Sequence, residues 1–250
     1  MTGLKTFVST LGLAFIAATA QAEIYFEDDF NGDGLSSDWT VMNEDPESYL
    51  VEDGVLTLLV PDRTSARFGE ALNTMVLNRP IPKGDWKLTV RLIFAPQTLG
   101  ERFRTGLAKD VDNGLFADFV LYTPDYVKTT VNLTGLKVSK GKETYFSRTF
   151  YTISGRDLEG RASVFPDNIA AVELQLEKKK RNYIARMRLE PAAPGTEGAP
   201  DGEWREVQKL TSLRLPGDKF FMTFGSWSTS YLPQDGEALI NVDWIRIETP

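Results

Sequence analysis

The sequence predicts an all-β fold, a two-sheet antiparallel sandwich of the jelly-roll kind. Three observations carry this. Short runs of alternating apolar and polar residues repeat along the chain between Gly, Pro, Asn and Asp, and helical periodicity is almost absent. The opening segment Phe26-Glu27-Asp28-Asp29-Phe30-Asn31 and the closing segment Ile240-Asn241-Val242-Asp243-Trp244-Ile245-Arg246-Ile247 both read as strands, and pairing them would close the chain on itself. A length of 250 residues suits one large all-β domain.

Residues 1–22 stand apart from this pattern. Lys5 gives a short positive region, Phe7 to Ala18 an apolar small-residue core, and Ala20-Gln21-Ala22 an A-x-A cleavage pattern, which together predict a secretory signal peptide. The apolar run falls short of the ~20 residues a membrane-spanning helix needs. The expected product is an exported protein, periplasmic or extracellular, with the sandwich over residues 23–250.

Within that span the alternation predicts strands at 24–26, 49–51, 55–60, 74–76, 86–94, 102–108, 115–122, 128–133, 172–177, 184–189, 205–207, 219–227 and 239–248. Residues 191–202, rich in Pro, Gly and Ala, read as a long hairpin loop. Residues 144–168 mix Tyr, Phe, Arg and Gly without clear alternation and read as an insertion across the sandwich. Trp39, Trp86 and Trp244 sit in apolar strand patterns and are expected in core or edge packing.

Composition removes several chemistries. There is no Cys and no His, so disulfides, thiol nucleophiles, Ser-His-Asp triads and nearly all zinc catalysis are excluded. Any enzyme here must work with Asp, Glu, Tyr, Lys or Arg. Without residues 1–22 the chain has 27 basic against 35 acidic residues, net −8, which disfavours nucleic acid as a partner.

The ordered set of motifs resembles the concanavalin A-like lectin/glucanase superfamily over nearly the whole span after residue 22. Its carriers are Asp28-Asp29-Phe30 with Trp39, Glu52-Asp53-Gly54-Val55-Leu56-Thr57-Leu58 and Ile81-Pro82-Lys83-Gly84-Asp85-Trp86. They continue with Val172-Glu173-Leu174-Gln175-Leu176-Glu177, Asn182-Tyr183-Ile184-Ala185, Trp204-Arg205-Glu206-Val207 and the closing strand. The closest likeness is to sandwich modules appended to bacterial glycosidases and to the glucanase branch. The resemblance implies a structural Ca²⁺ held by carbonyls of Asp29 and Gly54 and the side chain of Asp243. Oxygen donors of this mixed kind suit calcium. The same residues also suit plain turn chemistry, with Asp53-Gly54 a hairpin turn and Asp243 capping turn amides. The acidic run Asp28, Asp29, Asn31, Asp33 lacks the closing Glu of an EF-hand.

The E-x-D-x-E catalytic strand of the glucanase branch is absent. Glu173 and Glu177 have its outer spacing with Gln175 between them. Four residues along a regular strand span ~13 Å, whereas retaining hydrolysis wants ~5–5.5 Å and inverting ~6.5–9.5 Å. Arg186 and Arg188 on the returning strand favour cross-strand ion pairs with these acids. A polysaccharide lyase would need a cation for a uronate carboxylate and a base such as Tyr122, and Arg102, Arg104, Tyr126 and Lys128 lie nearby in sequence.

A glycan-binding face needs less: aromatic platforms and planar polar partners. The residues that fit are Tyr122, Tyr151 and Trp227 as platforms, with Arg102, Arg104 and Asp118 as partners. Trp227 suits either a platform or packing. By alternation Phe220, Met222 and Phe224 face one way and Phe221, Thr223 and Trp227 the other, so one set lies outside the inter-sheet core. The expected function is carbohydrate binding on the concave sheet. The alternatives are a lyase or hydrolase on the same fold and a non-catalytic envelope interaction protein.

Overall fold

The computed structural model describes residues 22–60, 68–93, 101–110, 113–122, 128–139, 142–154, 169–196, 199–211, 217–226 and 238–250. The expected signal peptide, apart from Ala22, and Trp227 lie outside the described residues. The strands in chain order are β1 (Glu23–Asp28), β2 (Trp39–Met42), β3 (Tyr49–Glu52), β4 (Val55–Val60), β5 (Thr74–Leu77), β6 (Trp86–Ile93), β7 (Glu101–Asp110) and β8 (Asn113–Tyr122). They continue with β9 (Lys128–Ser139), β10 (Lys142–Ser154), β11 (Ile169–Lys179), β12 (Asn182–Pro191), β13 (Arg205–Thr211), β14 (Lys219–Ser226) and β15 (Ala238–Thr249). For β8 to β10 and a few strand ends only the backbone register is described.

Two antiparallel sheets result. The eight-stranded sheet runs β13-β12-β11-β6-β15-β4-β3, with β1 added alongside β15. The seven-stranded sheet runs β10-β9-β8-β7-β14-β5-β2. The chain ends do pair: Glu23 lies opposite Thr249 and Asp28 opposite Ile245. Strand β15 serves two partners along one edge, β4 over Ala238–Val242 and β1 over Ile245–Thr249. Asp243 sits at that handover and is the extra residue of a bulge against β6.

Alternation explains which faces meet. Leu88, Val90 and Leu92 of β6, Leu174 and Leu176 of β11, and Ile245 and Ile247 of β15 point inward against Phe103 and Leu107 of β7 and Phe220, Met222 and Phe224 of β14. Trp86 lies edge-on to both Tyr183 and Phe220, tying the sheets at one end. Each such buried side chain contributes roughly 1.5–3 kcal/mol of transfer free energy.

Two sequence expectations change. Residues 144–168 do not begin as an insertion: Lys142–Ser154 is the edge strand β10, paired along β9 as far as Ser139. Its alternation was obscured by a bulge between Thr149 and Tyr151, which shifts the period by one residue. The remainder, 155–168, lies outside the described residues. Trp244 is not in the core either. The bulge at Asp243 turns it to the outer face, where Arg246 stacks 5.1 Å from its ring centroid. Strand β2 was also missed, being only four residues long.

Candidate functional site

The outer face of the seven-stranded sheet gathers most of the residues expected to bind a ligand. Phe103 and Leu107 join the main core, so Arg104 and Ala108, their alternating neighbours on β7, belong to the opposite face. On β14 the same logic puts Phe221 and Thr223 outside. Register then carries that face across the sheet. Thr223 stands opposite Arg104, Arg104 opposite Asp118, Asp118 opposite Asn132 and Asn132 opposite Thr149. One step along, Arg102 pairs with Val120, Val120 with Thr130, and Thr130 with Thr152. Tyr122, at the end of the same face of β8, stands opposite Lys128. Thus Arg102, Arg104, Asp118 and Tyr122 share one face of adjacent strands.

Tyr151 departs from this group. The bulge in β10 places it opposite Val131, in line with Phe119 and Phe103, hence on the inward face by register. Sequence reasoning also passed over Thr130, Asn132 and Thr134 of β9, although their every-second-residue spacing was a readable signal.

One flank of this face is walled. Phe221, Val76 and Ala108 form a second small core with Phe68, whose ring meets Phe221 edge-on at 5.0 Å between centroids. The turn at residues 68–73 therefore lies over β5 and β14. Beside this wall Arg104 is only 7% exposed and Thr223 fully buried. A guanidinium so far removed from water requires polar company, and register sets Asp118 and Thr223 on either side of it.

The outer face of the eight-stranded sheet is chemically different. Arg188 bonds Glu173, Arg186 bonds Glu177, and Arg246 bonds Glu27. Arg186 also donates to Gln175 Oε1 at 3.2 Å, and Gln175 Nε2 donates to Thr89 Oγ1 at 3.2 Å. Arg188 in turn lies 5.2 Å from the ring centroid of Trp204, so Glu173 is buried beneath Arg188 and Trp204. The register of β11 with β12 is unbroken from Ala171 to Lys179. No bulge draws Glu173 and Glu177 together, and at ~3.4 Å per residue they stay too far apart for a hydrolase pair.

Register sets the three residues expected at a calcium ion near one another at the β1–β15–β4 corner. Asp53 and Gly54 both have positive φ, 53° and 75°, and form the two-residue hairpin turn between β3 and β4. A Cβ on Gly54 would lie 2.8 Å from Asn31 Oδ1 and 3.7 Å from the Asp29 carbonyl oxygen. Asn31 Oδ1 and the Asp29 carbonyl oxygen therefore lie beside this turn. The Asp243 carboxylate accepts from Arg91 through Oδ2, and Arg91 Nη2 also donates to Glu190 Oε2 at 2.8 Å. Burial opposes the charge on Arg91, but its bonds to Glu190 and Asp243 outweigh that and raise its pKa, so it stays cationic. Among the described residues no cluster of three or more acidic side chains is assembled for a metal. A cation at this corner would depend on carbonyls and would share Asp243 with Arg91.

Beside this corner, Asp28 does work the motif did not announce. Its carboxylate accepts from Phe30 N at 2.9 Å, Ser36 Oγ at 3.2 Å and Trp39 Nε1 at 2.8 Å, clasping the loop after β1 and holding Phe30 at φ 53°. The D-D-F…W pattern is thus explained by its first aspartate.

No known family profile matches this chain, and no curated protein matches it in sequence. Solved structures do share its fold. A xylan β-1,4-xylosidase from Bacillus halodurans matches at 13% identity with a TM-score of 0.57, over 89% of this chain and 39% of that one. The GH43 protein BlXynB from Bacillus licheniformis matches at 18% identity and TM-score 0.54, over 88% of this chain and 38% of its own. The CBM2 module of the evolved Dit protein of Lactobacillus casei phage J-1 matches at 15% and 0.54, over 91% and 95% respectively. The chain spans about two fifths of the length of the xylosidase and of the GH43 protein. At these identities the likeness establishes the β-sandwich fold.

Proposed function

We propose that this chain is an exported, concanavalin A-like sandwich that binds a polysaccharide or glycan on the outer face of its seven-stranded sheet. The observation that carries the reading is the composition of that face. By register Thr130, Asn132 and Thr134 of β9 and Ser147, Thr149 and Thr152 of β10 share it with Arg102, Arg104, Asp118 and Tyr122, alongside the apolar Phe116, Val120 and Leu136. Hydroxyls and amides of this kind both donate and accept, as sugar hydroxyls require. Similarity to a carbohydrate-binding module and to glycosidases lends the reading support without fixing the sugar. Binding without turnover is favoured because Glu173 and Glu177 are engaged by arginines on the other sheet.

Retardation on a panel of polysaccharide gels, with parallel assays for new reducing ends and for ultraviolet absorbance of cleavage products, tests this directly. Binding with no product is the expected result. Product formation would make the protein an enzyme, and no response to any glycan would leave a protein-contact role. Calcium is a separable part of the proposal, held by Asp29, Gly54 and Asp243. Adding Ca²⁺ is expected to raise Tm and a chelator to lower it again. An unchanged Tm in both removes the ion from the account.

A further inference from the structure

We infer that Asn31 is a site of spontaneous covalent modification, where the Asn31-Gly32 peptide loses ammonia and becomes aspartate or isoaspartate. The chain's second Asn-Gly pair, Asn113-Gly114, is held out of the same reaction by the seven-stranded sheet. The chemistry is a ring closure. The Gly32 amide nitrogen gives up its proton and bonds to Asn31 Cγ, while the Cγ–Nδ2 bond breaks and that nitrogen leaves as ammonia. Water then opens the cyclic succinimide. Attack at Cγ breaks the newly formed bond and leaves an aspartate. Attack at the main-chain carbonyl breaks the original peptide bond and leaves isoaspartate, with the chain running through the side-chain carbon.

A glycine after the asparagine favours closure, because no Cβ blocks the approach and its backbone reaches many conformations. By that criterion the two pairs are equal, and the structure separates them. Asn31 and Gly32 are both exposed, in the loop between β1 and β2. Asn31 N donates to Asp29 Oδ1 at 3.4 Å. Among the described residues neither the Asn31 side-chain amide nor the Gly32 N–H has a hydrogen-bond partner. Both reacting groups can therefore turn toward each other without breaking a bond. The carboxamide touches only the Gly54 turn, by packing. Gly114, in contrast, stands in β8 opposite Ala108 of β7 and Leu136 of β9. An amide fixed in an extended strand cannot fold back onto the preceding Cγ until the ladder opens, and that opening has a free-energy cost which a loop escapes. Each conversion at Asn31 replaces a neutral amide by a carboxylate in a stretch that already holds Asp28, Asp29 and Asp33, and so creates a more acidic isoform.

Peptide mapping by mass spectrometry tests this on the full protein, incubated warm at mildly alkaline pH and sampled over time. The peptide carrying Asn31 should gain the mass of amide-to-acid conversion about tenfold faster, or more, than the peptide carrying Asn113, the strand's opening being the difference. Part of the product should accept label from an isoaspartyl methyltransferase. In denaturant the two rates should converge, because only folding distinguishes the pairs. Gly32→Ala should slow conversion at Asn31 by about tenfold or more, since a Cβ there hinders ring closure. The residue lacks a positive φ, and its Cβ would stand 3.3 Å from the Gly34 carbonyl oxygen, so circular dichroism should show the native fold. If that variant does not fold, the native and denatured rates of the unaltered protein still decide the matter. An Asn31 peptide that keeps its mass, or native rates at Asn113 equal to or above those at Asn31, would overturn the inference. A rate difference that survives in denaturant would overturn its structural cause.

Discussion

The two outer faces of this sandwich are built from the same strand pattern and reach opposite chemical ends. On the eight-stranded sheet, arginines and glutamates alternate across β6, β11 and β12, and charge is matched within the molecule. Glu173 is the extreme case, 3% exposed, under Arg188 and Trp204. On the seven-stranded sheet register sets Arg102, Arg104 and Asp118 in line with Thr, Ser and Asn as well as with Phe116, Val120 and Leu136, and a second small apolar core walls one side. A face that satisfies itself has little to offer a ligand.

Four substitutions break or sharpen this contrast. Phe221→Ala should act most strongly, because the ring is 1% exposed and anchors the turn at 68–73 to the seven-stranded sheet. A loss of about 3–4 kcal/mol is expected in chemical denaturation. Glycan retention should fall at temperatures where the variant is still folded, since the wall beside Arg104 is gone. Loss of stability with full retention would show that the wall is not part of the face.

Arg188→Met on the other sheet should cost about 2–3 kcal/mol, less than breaking a fully buried pair, because Arg188 is itself 37% exposed while Glu173 is 4%. Adding Glu173→Gln should recover much of that, and a double-mutant cycle measures the coupling. Neither change should touch glycan binding. Gly54→Ala comes next. The positive φ of 75° and the 2.8 Å approach to Asn31 Oδ1 predict a loss of about 2 kcal/mol. An Asn31→Ala background should remove the steric share and leave the backbone share.

The smallest effect is at an exposed pair, which calibrates the buried one. The Arg79 hydrogen bond holds the Asp38 carboxyl below its usual range, against a little desolvation. A carboxyl with a depressed folded pKa stabilises above the unfolded value and loses that contribution as pH falls through the folded one. Both groups are about two fifths exposed. Arg79→Met should therefore cost about 0.5 kcal/mol at pH 6, and the two proteins should converge in acid below the usual Asp range.

Much of the fold was legible because strands are local. Periods of two at 55–60, 86–94 and 172–177 located β4, β6 and β11, and Asp53-Gly54 announced its turn. The pairing of the two chain ends was legible too, from motifs at both termini. What alternation does not show is a bulge. One extra residue hid β10 and moved Tyr151 to the other face, and another turned Trp244 outward. Arg102, Arg104, Asp118 and Tyr122 were grouped from sequence because each strand's parity is readable. That Asn132 and Thr149 continue the row depends on register between strands, which no single strand specifies. The pairing of Asp243 with Arg91 is of the same kind, since it joins residues 152 positions apart.

Amide hydrogen exchange in the presence of a retained polysaccharide probes the proposed ligand face most directly. Backbone amides of Glu101–Asp110, Asn113–Tyr122 and Lys128–Ser139 should slow on binding, while those of β6, β11 and β12 stay unchanged. Slowing confined to β6, β11 and β12 would place the ligand on the charge-matched sheet and contradict the account.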